Sequence, residues 1–140
     1  MAVVSIRFSD AGVHRRLKNA ADGSGLTISS LAERLIDEGL RMESHPLIVF
    51  RDGPTGRRPV LARGPDVADV VSGTVGGDVP VEDRHTRAAG LLGLSVAQVD
   101  AAMAYYAEFT DEIDAHVIAR ADLARREQAA WQRQRELLER

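Results

Sequence analysis

The chain has 140 residues, of which 44% are apolar and 28% are charged, and its 18 basic and 21 acidic side chains give a net charge of -3. This balance excludes a wholly basic nucleic-acid coat but leaves room for a local basic face. There is no cysteine, which excludes disulfides and thiolate metal sites, and neither a bilayer-spanning apolar run nor a signal-peptide pattern is present, so a cytoplasmic location is expected.

The first predicted element is a short strand, VVSIRF at residues 3–8. Its alternation defines two faces, with Val4, Ile6 and Phe8 on one and Val3, Ser5 and Arg7 on the other. An isolated strand leaves its backbone N–H and C=O groups unpaired, which is costly when buried and hazardous when exposed. The next predicted strand belongs to a separate hairpin, so the simplest partner is the same strand of a second copy of the chain.

Two amphipathic helices are predicted after this strand. Ser9 is the expected N-cap of the first, which covers residues 10–22 and stops at Gly23-Ser24-Gly25. Thr27 is the expected cap of the second, whose apolar stripe consists of Ile28, Leu31, Leu35, Ile36 and Leu40. The second helix is expected to end before Ser44-His45-Pro46.

The composition changes at Leu47, where a second module is predicted to begin. Residues 47–50 and 59–63 have the character of two short strands around a turn rich in Gly and Pro. Helices are predicted over residues 66–75 and 82–93. Ser95 and Gln98 match a capping box that opens another helix, which extends to Phe109.

The last segment has no Gly or Pro after Thr110 and is predicted to be one long helix. Its apolar positions recur at steps of three, four and seven residues and are Ile113, Val117, Ala121, Ala124, Trp131 and Leu138. Such a narrow seam has little capacity to form a core by itself, so the helix must lie on its own domain, pair with another tail or dock in the groove of a partner. Gln128 and Arg135 interrupt the seam and disfavour a long coiled coil.

The order strand, helix, glycine turn and helix within residues 1–45, carried by VSIRFS and GLTISSLAERLIDEGL, resembles the ribbon-helix-helix family of DNA-binding proteins. In that family two chains pair their first strands into an antiparallel ribbon whose outer face enters the major groove. The resemblance implies a dimer core formed by Val4, Ile6, Phe8, Leu31 and Leu35. It implies base contacts from Val3, Ser5 and Arg7, of which Arg suits guanine, Ser can donate or accept, and Val suits a thymine methyl.

The same resemblance implies a phosphate anchor at the start of the second helix. The backbone N–H groups of Thr27, Ser29 and Ser30 would bind the phosphate there, although plain first-turn helix residues are an equal alternative for the two serines. The basic residues of the first helix are open between phosphate contacts and a solvated face; they are Arg15, Arg16 and Lys18.

Residues 47–138 resemble a small helix-turn-helix-like antitoxin domain of otherwise uncharacterised function. The matching stretches are GRRPVLARG, LSVAQVDAAMAYYAEFTDEID and AWQRQRELL. In that family the partner is a ribonuclease toxin of PIN-like fold. The chain departs from the family pattern at Gly64-Pro65-Asp66, where an acid stands in place of an expected basic residue, so DNA binding by this module is left open.

The sequence contains no recognisable catalytic or metal-binding motif. The four histidines, His14, His45, His85 and His116, lie on separate predicted elements. Glu82, Asp83 and His85 form the only tight cluster, which a solvated helix N-terminus explains better than a metal site. We therefore expect no enzyme activity, no cofactor and no metal; an enzyme would need a polar pocket within residues 47–109.

The predicted fold is mostly α-helical with short β-strands. Three parts are expected: a DNA-binding and dimerisation module at 1–45, a hairpin and helical module at 46–109, and a partner-binding helix at 110–140. The predicted partner-binding residues are Val117, Ala124, Trp131 and Leu138. The expected function is that of a type II antitoxin that represses its own operon and neutralises a PIN-like ribonuclease toxin. Its partners would be double-stranded operator DNA, a second copy of the chain and the toxin, with no membrane. The alternative is a ribbon-helix-helix regulator without a toxin.

Overall fold

A computed structural model describes all 140 residues. It contains six α-helices and one two-stranded antiparallel sheet, in agreement with the predicted mostly helical class. The helices are α1 (Ala11–Ser24), α2 (Ile28–Ser44), α3 (Val67–Thr74), α4 (Arg84–Leu92), α5 (Val96–Glu108) and α6 (Thr110–Leu138), and the strands are β1 (Ile48–Arg51) and β2 (Arg58–Leu61). The chain forms two compact units, Met1–Glu43 and Ser44–Arg140. The predicted three-part division stays a prediction.

In the first unit, residues 1–8 form no strand in the single chain. No other strand is present there to pair with them, so the two-chain ribbon stays a prediction. The N-cap of α1 is Asp10, whose carboxylate accepts the Gly12 N–H at 2.8 Å. The prediction of Ser9 as this cap was wrong by one position. The carboxylate of Asp10 reaches the amide two residues ahead, as an N-cap side chain must.

The turn between α1 and α2 depends on Gly25. This residue has φ of 68°, and its N–H donates to the carbonyls of Ala21 and Asp22. Helix α1 therefore ends at Ser24, two residues later than predicted. A left-handed residue at this position favours glycine, which has no Cβ. Thr27 caps α2 as predicted, because its hydroxyl oxygen accepts the Ser30 N–H at 3.0 Å.

The second unit opens with the predicted hairpin, in which Ile48 pairs with Leu61 and Arg51 with Arg58. Gly53 and Gly56 close the turn by exchanging backbone hydrogen bonds. The Arg58 side chain lies against Gly53 so closely that an added Cβ would meet Nη1 at 2.1 Å. A side chain at position 53 would therefore displace the Arg58 guanidinium from its place against the turn.

The hydrophobic core of the second unit lies between the hairpin and helices α3 to α6. Its buried members are Ile48, Leu61, Val67, Ala68, Val70, Val71, Ala88, Ala89, Val99, Ala102, Tyr105 and Ile113. The predicted capping box at the start of α5 is confirmed: Ser95 Oγ accepts the Gln98 N–H at 3.1 Å, and Gln98 Oε1 accepts the Ser95 N–H at 2.9 Å.

Helix α6 is long, as predicted, and only its first half packs on the unit. Ile113 is fully buried and Val117 packs against the core, whereas every residue from Ala124 onward is exposed. We call residues 124–140 the tail. No single helix has the length and apolar character needed to cross a membrane; the segments Val81–Leu92 and Val96–Glu108 meet both requirements only as a pair bent by 115°.

Candidate functional site

The first unit contains an open apolar hollow of about 420 Å³. The side chains around it come from the N-terminal segment, α1 and α2, and are Ile6, Phe8, Val13, Arg16, Leu17, Ala20, Ala32, Leu35 and Ile36. Only Ala21 and Leu31 among the apolar residues of this unit are buried. A unit as small as Met1–Glu43 with so small a core has marginal stability by itself. The hollow is therefore an apolar surface that a single copy leaves uncovered.

The residues predicted for the dimer core occupy three different environments. Ile6, Phe8 and Leu35 line the hollow together. Leu31 is already buried within the single chain, with 2% of its surface exposed. Val4 is 78% exposed and does not line the hollow. The structure thus brings together three of the five predicted residues at one uncovered surface.

The residues predicted to contact DNA are all exposed. Val3, Ser5 and Arg7 lie in the N-terminal segment, which forms neither helix nor strand. Thr27, Ser29 and Ser30 lie at the start of α2, where the Thr27 hydroxyl caps the Ser30 N–H and donates to Ser30 Oγ at 2.9 Å. The Ser30 N–H thus has a side-chain partner in the single chain, and the phosphate contacts of these residues stay a prediction. Arg15 and Lys18 are exposed on α1, while Arg16 stands at the edge of the hollow.

A network of four charged side chains in the second unit was not predicted. Arg120 on α6 binds both carboxylate oxygens of Asp69, from Nε at 2.8 Å and from Nη2 at 2.9 Å. Its Nη1 donates to Asp66 Oδ2 at 2.8 Å, and Arg58 Nε donates to the same oxygen at 2.6 Å. The network connects β2, the start of α3 and α6. Two signals in the sequence could have indicated it: the unexpected acid in Gly64-Pro65-Asp66, and Arg120 as the only Lys or Arg between Arg87 and Arg125.

Two histidines pair with carboxylates of α5. His45 Nε2 lies 2.7 Å from Glu108 Oε2, and the ring stands edge-on to Tyr105 and Phe109. His85 Nδ1 lies 2.6 Å from Asp100 Oδ1. His85, near the start of α4, thus contacts a carboxylate of α5. No group of three or more His, Cys, Asp or Glu side chains has an arrangement that could hold a metal ion.

Tyrosine hydroxyls join α5 to the first turns of α6. Tyr105 is fully buried and its hydroxyl donates to Glu112 Oε2 at 3.0 Å. The Tyr106 hydroxyl donates to Asp114 Oδ1 at 2.7 Å. This hydrogen bond to a carboxylate, together with some desolvation, raises the pKa of Tyr106 above its usual value near 10.0. The two contacts fix the turn around Phe109 that separates the helices.

The predicted partner-binding residues of α6 are divided between two environments. Val117 packs against the core of its own unit. Ala124 is exposed, Trp131 is 54% exposed and Leu138 is 86% exposed. The Arg135 guanidinium stands over the Trp131 ring at 5.0 Å from its centroid. The alternative in which the tail folds back and buries Trp131 in its own subunit is not the arrangement found here.

Comparison of the chain with protein-family models, with curated proteins and with solved structures gives no significant match.

Proposed function

We propose that the chain is a homodimeric ribbon-helix-helix DNA-binding protein. On this proposal it acts in the cytoplasm as the antitoxin of a type II toxin-antitoxin pair and represses its own operon. The observation that carries the proposal is the apolar hollow of the first unit, which Ile6 and Phe8 line together with side chains of α1 and α2. A second copy of the chain would cover that surface and would also pair with residues 3–8.

A two-fold dimer satisfies both needs because each copy offers the same surface to the other. Pairing of the two N-terminal segments would provide partners for backbone groups that the single chain leaves unpaired. Ile6 and Phe8 line the hollow, so alternation along a strand directs Ser5 and Arg7 to the opposite face. That face would carry the polar side chains that base readout requires.

Base readout would depend mainly on Arg7. Its guanidinium can bind O6 and N7 of a guanine with two parallel hydrogen bonds, and such a pair discriminates against other bases by about 1–3 kcal/mol. Lys18 on α1 is exposed and far from the strand in sequence, so its contribution would be a phosphate contact that does not depend on base sequence. The two residues therefore provide a matched comparison.

The test uses the full chain and a pool of random DNA duplexes, from which bound molecules are enriched and sequenced. We expect enriched duplexes to contain two symmetric half-sites. Arg7→Ala should remove the preference for these duplexes over random DNA without dissociating the dimer. Lys18→Ala should weaken binding to both and lower the salt slope by about 1. Equal losses for Arg7→Ala on enriched and random duplexes would contradict the assignment.

The antitoxin part of the proposal is supported by the exposed tail. Trp131 and Leu138 present apolar surface that their own unit does not cover, and indole side chains are frequent anchors of protein interfaces. The partner proposed is a PIN-like ribonuclease toxin. A regulator without a toxin partner is the alternative, and in it the C-terminal module would bind another protein or a small ligand.

Co-purification with the product of the neighbouring reading frame separates the two candidates. Truncation after Ala124 removes only exposed residues, so the chain should still bind DNA but should no longer hold or silence the toxin. Trp131→Ala alone should weaken the complex by about 2 kcal/mol. A neighbouring product that is no nuclease, or a truncated chain that still silences one, would reject the antitoxin proposal.

A further inference from the structure

The attachment of α6 to the second unit changes character along the helix. Ile113 is fully buried and Val117 packs on the core, so apolar contacts hold the first two turns. Beyond Val117 the seam continues as Ala121 and Ala124, both exposed. Alanine offers little apolar surface, and Leu123, which lies off the seam, is only partly buried, so apolar contacts hold the helix less firmly there than at Ile113 and Val117.

Arg120 follows Val117, the last residue of α6 that packs against the core. It is the last residue of α6 that bonds to another element, since the later ion pairs join Arg125 to Asp122 in the same helix and Arg135 to Glu139 at its C-cap. Its two carboxylate partners, Asp66 and Asp69, lie at the start of α3. Near the start of the tail, α6 is thus attached to the rest of the unit mainly by ion pairs.

We propose that Arg120 is a positioning residue whose ion pairs clamp α6 to α3 and thereby set the direction of the tail. A guanidinium suits this role because its planar, fixed donors hold two carboxylates in one geometry, which the point charge of a lysine does not. This inference does not rest on the proposed function, because it concerns only residues of the second unit.

The network has one protected part and one part that solvent reaches. The Asp66 side chain is only 10% exposed and receives both arginines. The Arg120 and Asp69 side chains are 35% and 38% exposed, so dissolved salt can screen their attraction. The clamp is therefore expected to loosen as ionic strength rises, while the pair between Arg58 and Asp66 persists.

The variant Arg120→Met tests the clamp in the full chain. It keeps a long apolar side chain and leaves Asp66 bonded to Arg58, so no buried carboxylate loses its last partner. The matched control is Arg125→Met, which removes an arginine paired with Asp122 inside the same helix. Hydrogen exchange of the α6 amides reports the attachment, and the fluorescence anisotropy of Trp131, the only tryptophan, reports the motion of the tail.

We expect Arg120→Met to speed amide exchange of residues 113–124 by about tenfold, with α4 and α5 unchanged, and to lower the Trp131 anisotropy. Wild type should show the same change when salt rises from about 0.1 M to about 1 M, and the variant should no longer respond to salt. Arg120→Lys should restore only part of the protection, because it keeps the charge without the planar donors.

Unchanged exchange in Arg120→Met, or an equal acceleration in Arg125→Met, would overturn the inference and leave apolar contacts as the only attachment of α6. If Arg120→Met does not fold, Asp69→Asn provides the second test, because it weakens one arm and leaves Asp66 with both arginines. Faster exchange confined to residues 113–124 in Asp69→Asn would support the clamp. Exchange identical to wild type in that variant would reject it.

Discussion

Replacing Leu35 with alanine tests whether a second copy of the chain covers the hollow of the first unit. Leu35 lines the hollow and retains 47% exposure in the single chain. Full burial of a leucine side chain contributes about 1.5–3 kcal/mol, so covering the remaining half contributes about 1 kcal/mol per copy. The change occurs twice in a symmetric dimer, which gives about 2 kcal/mol. The dimer dissociation constant should therefore rise about 30-fold.

Sedimentation equilibrium over nanomolar to micromolar concentrations measures this constant, and circular dichroism shows whether the helices remain. The control is Leu91→Ala, the same chemical change at an exposed position of α4 in the second unit, which should leave the constant unchanged. A wild-type chain that stays a folded monomer at micromolar concentration would refute the reasoning. So would a dimer in which Leu35→Ala and Leu91→Ala have the same dissociation constant as wild type.

Three further predictions concern the second unit. Ile113→Ala should lower the free energy of unfolding by about 2–5 kcal/mol in urea titrations, because it opens a cavity in the core, whereas Leu138→Ala should change it by less than about 0.5 kcal/mol. Ser95→Ala should cost about 1 kcal/mol in the same assay, since it removes the cap of α5. Ultraviolet titration should show the raised pKa of Tyr106 falling toward its usual value in Asp114→Asn. Because the folded state has the higher pKa, this contact stabilises the fold below the usual tyrosine pKa and is lost as pH rises through the raised one.

Local elements could be predicted because their signals are local. The caps at Thr27 and Ser95 and the glycine at position 25 that ends α1 all lie within one or two helical turns of the structure they determine. The N-cap of α1 was misplaced because Ser9 and Asp10 are adjacent and both are good cap residues, so composition does not choose between them. In the structure the Asp10 carboxylate accepts the Gly12 N–H, which identifies Asp10 as the cap.

The sequence marks Asp66 and Arg120 as unusual, but it does not show that they meet, because the two residues are distant along the chain. Arg120 and Asp66 meet only after the hairpin, α3 and α6 have packed around one core. The same holds for the pairs His45 with Glu108 and His85 with Asp100. The hollow of the first unit was partly predictable, because the sequence shows the apolar stripe of α2. The stripe alone does not show that a single copy buries Leu31 and leaves Leu35 half exposed, since this depends on the packing of the unit.

A small rotation of α6 at Arg120 produces a large displacement at the end of the tail. At about 1.5 Å per residue, the helix from Arg120 to Leu138 is about 27 Å long. A tilt of about 10° at Arg120 would carry Leu138 through about 5 Å, roughly the pitch of one helical turn. A small change in the direction of α6 at Arg120, where one guanidinium binds two carboxylates, would therefore move Leu138 by several ångströms.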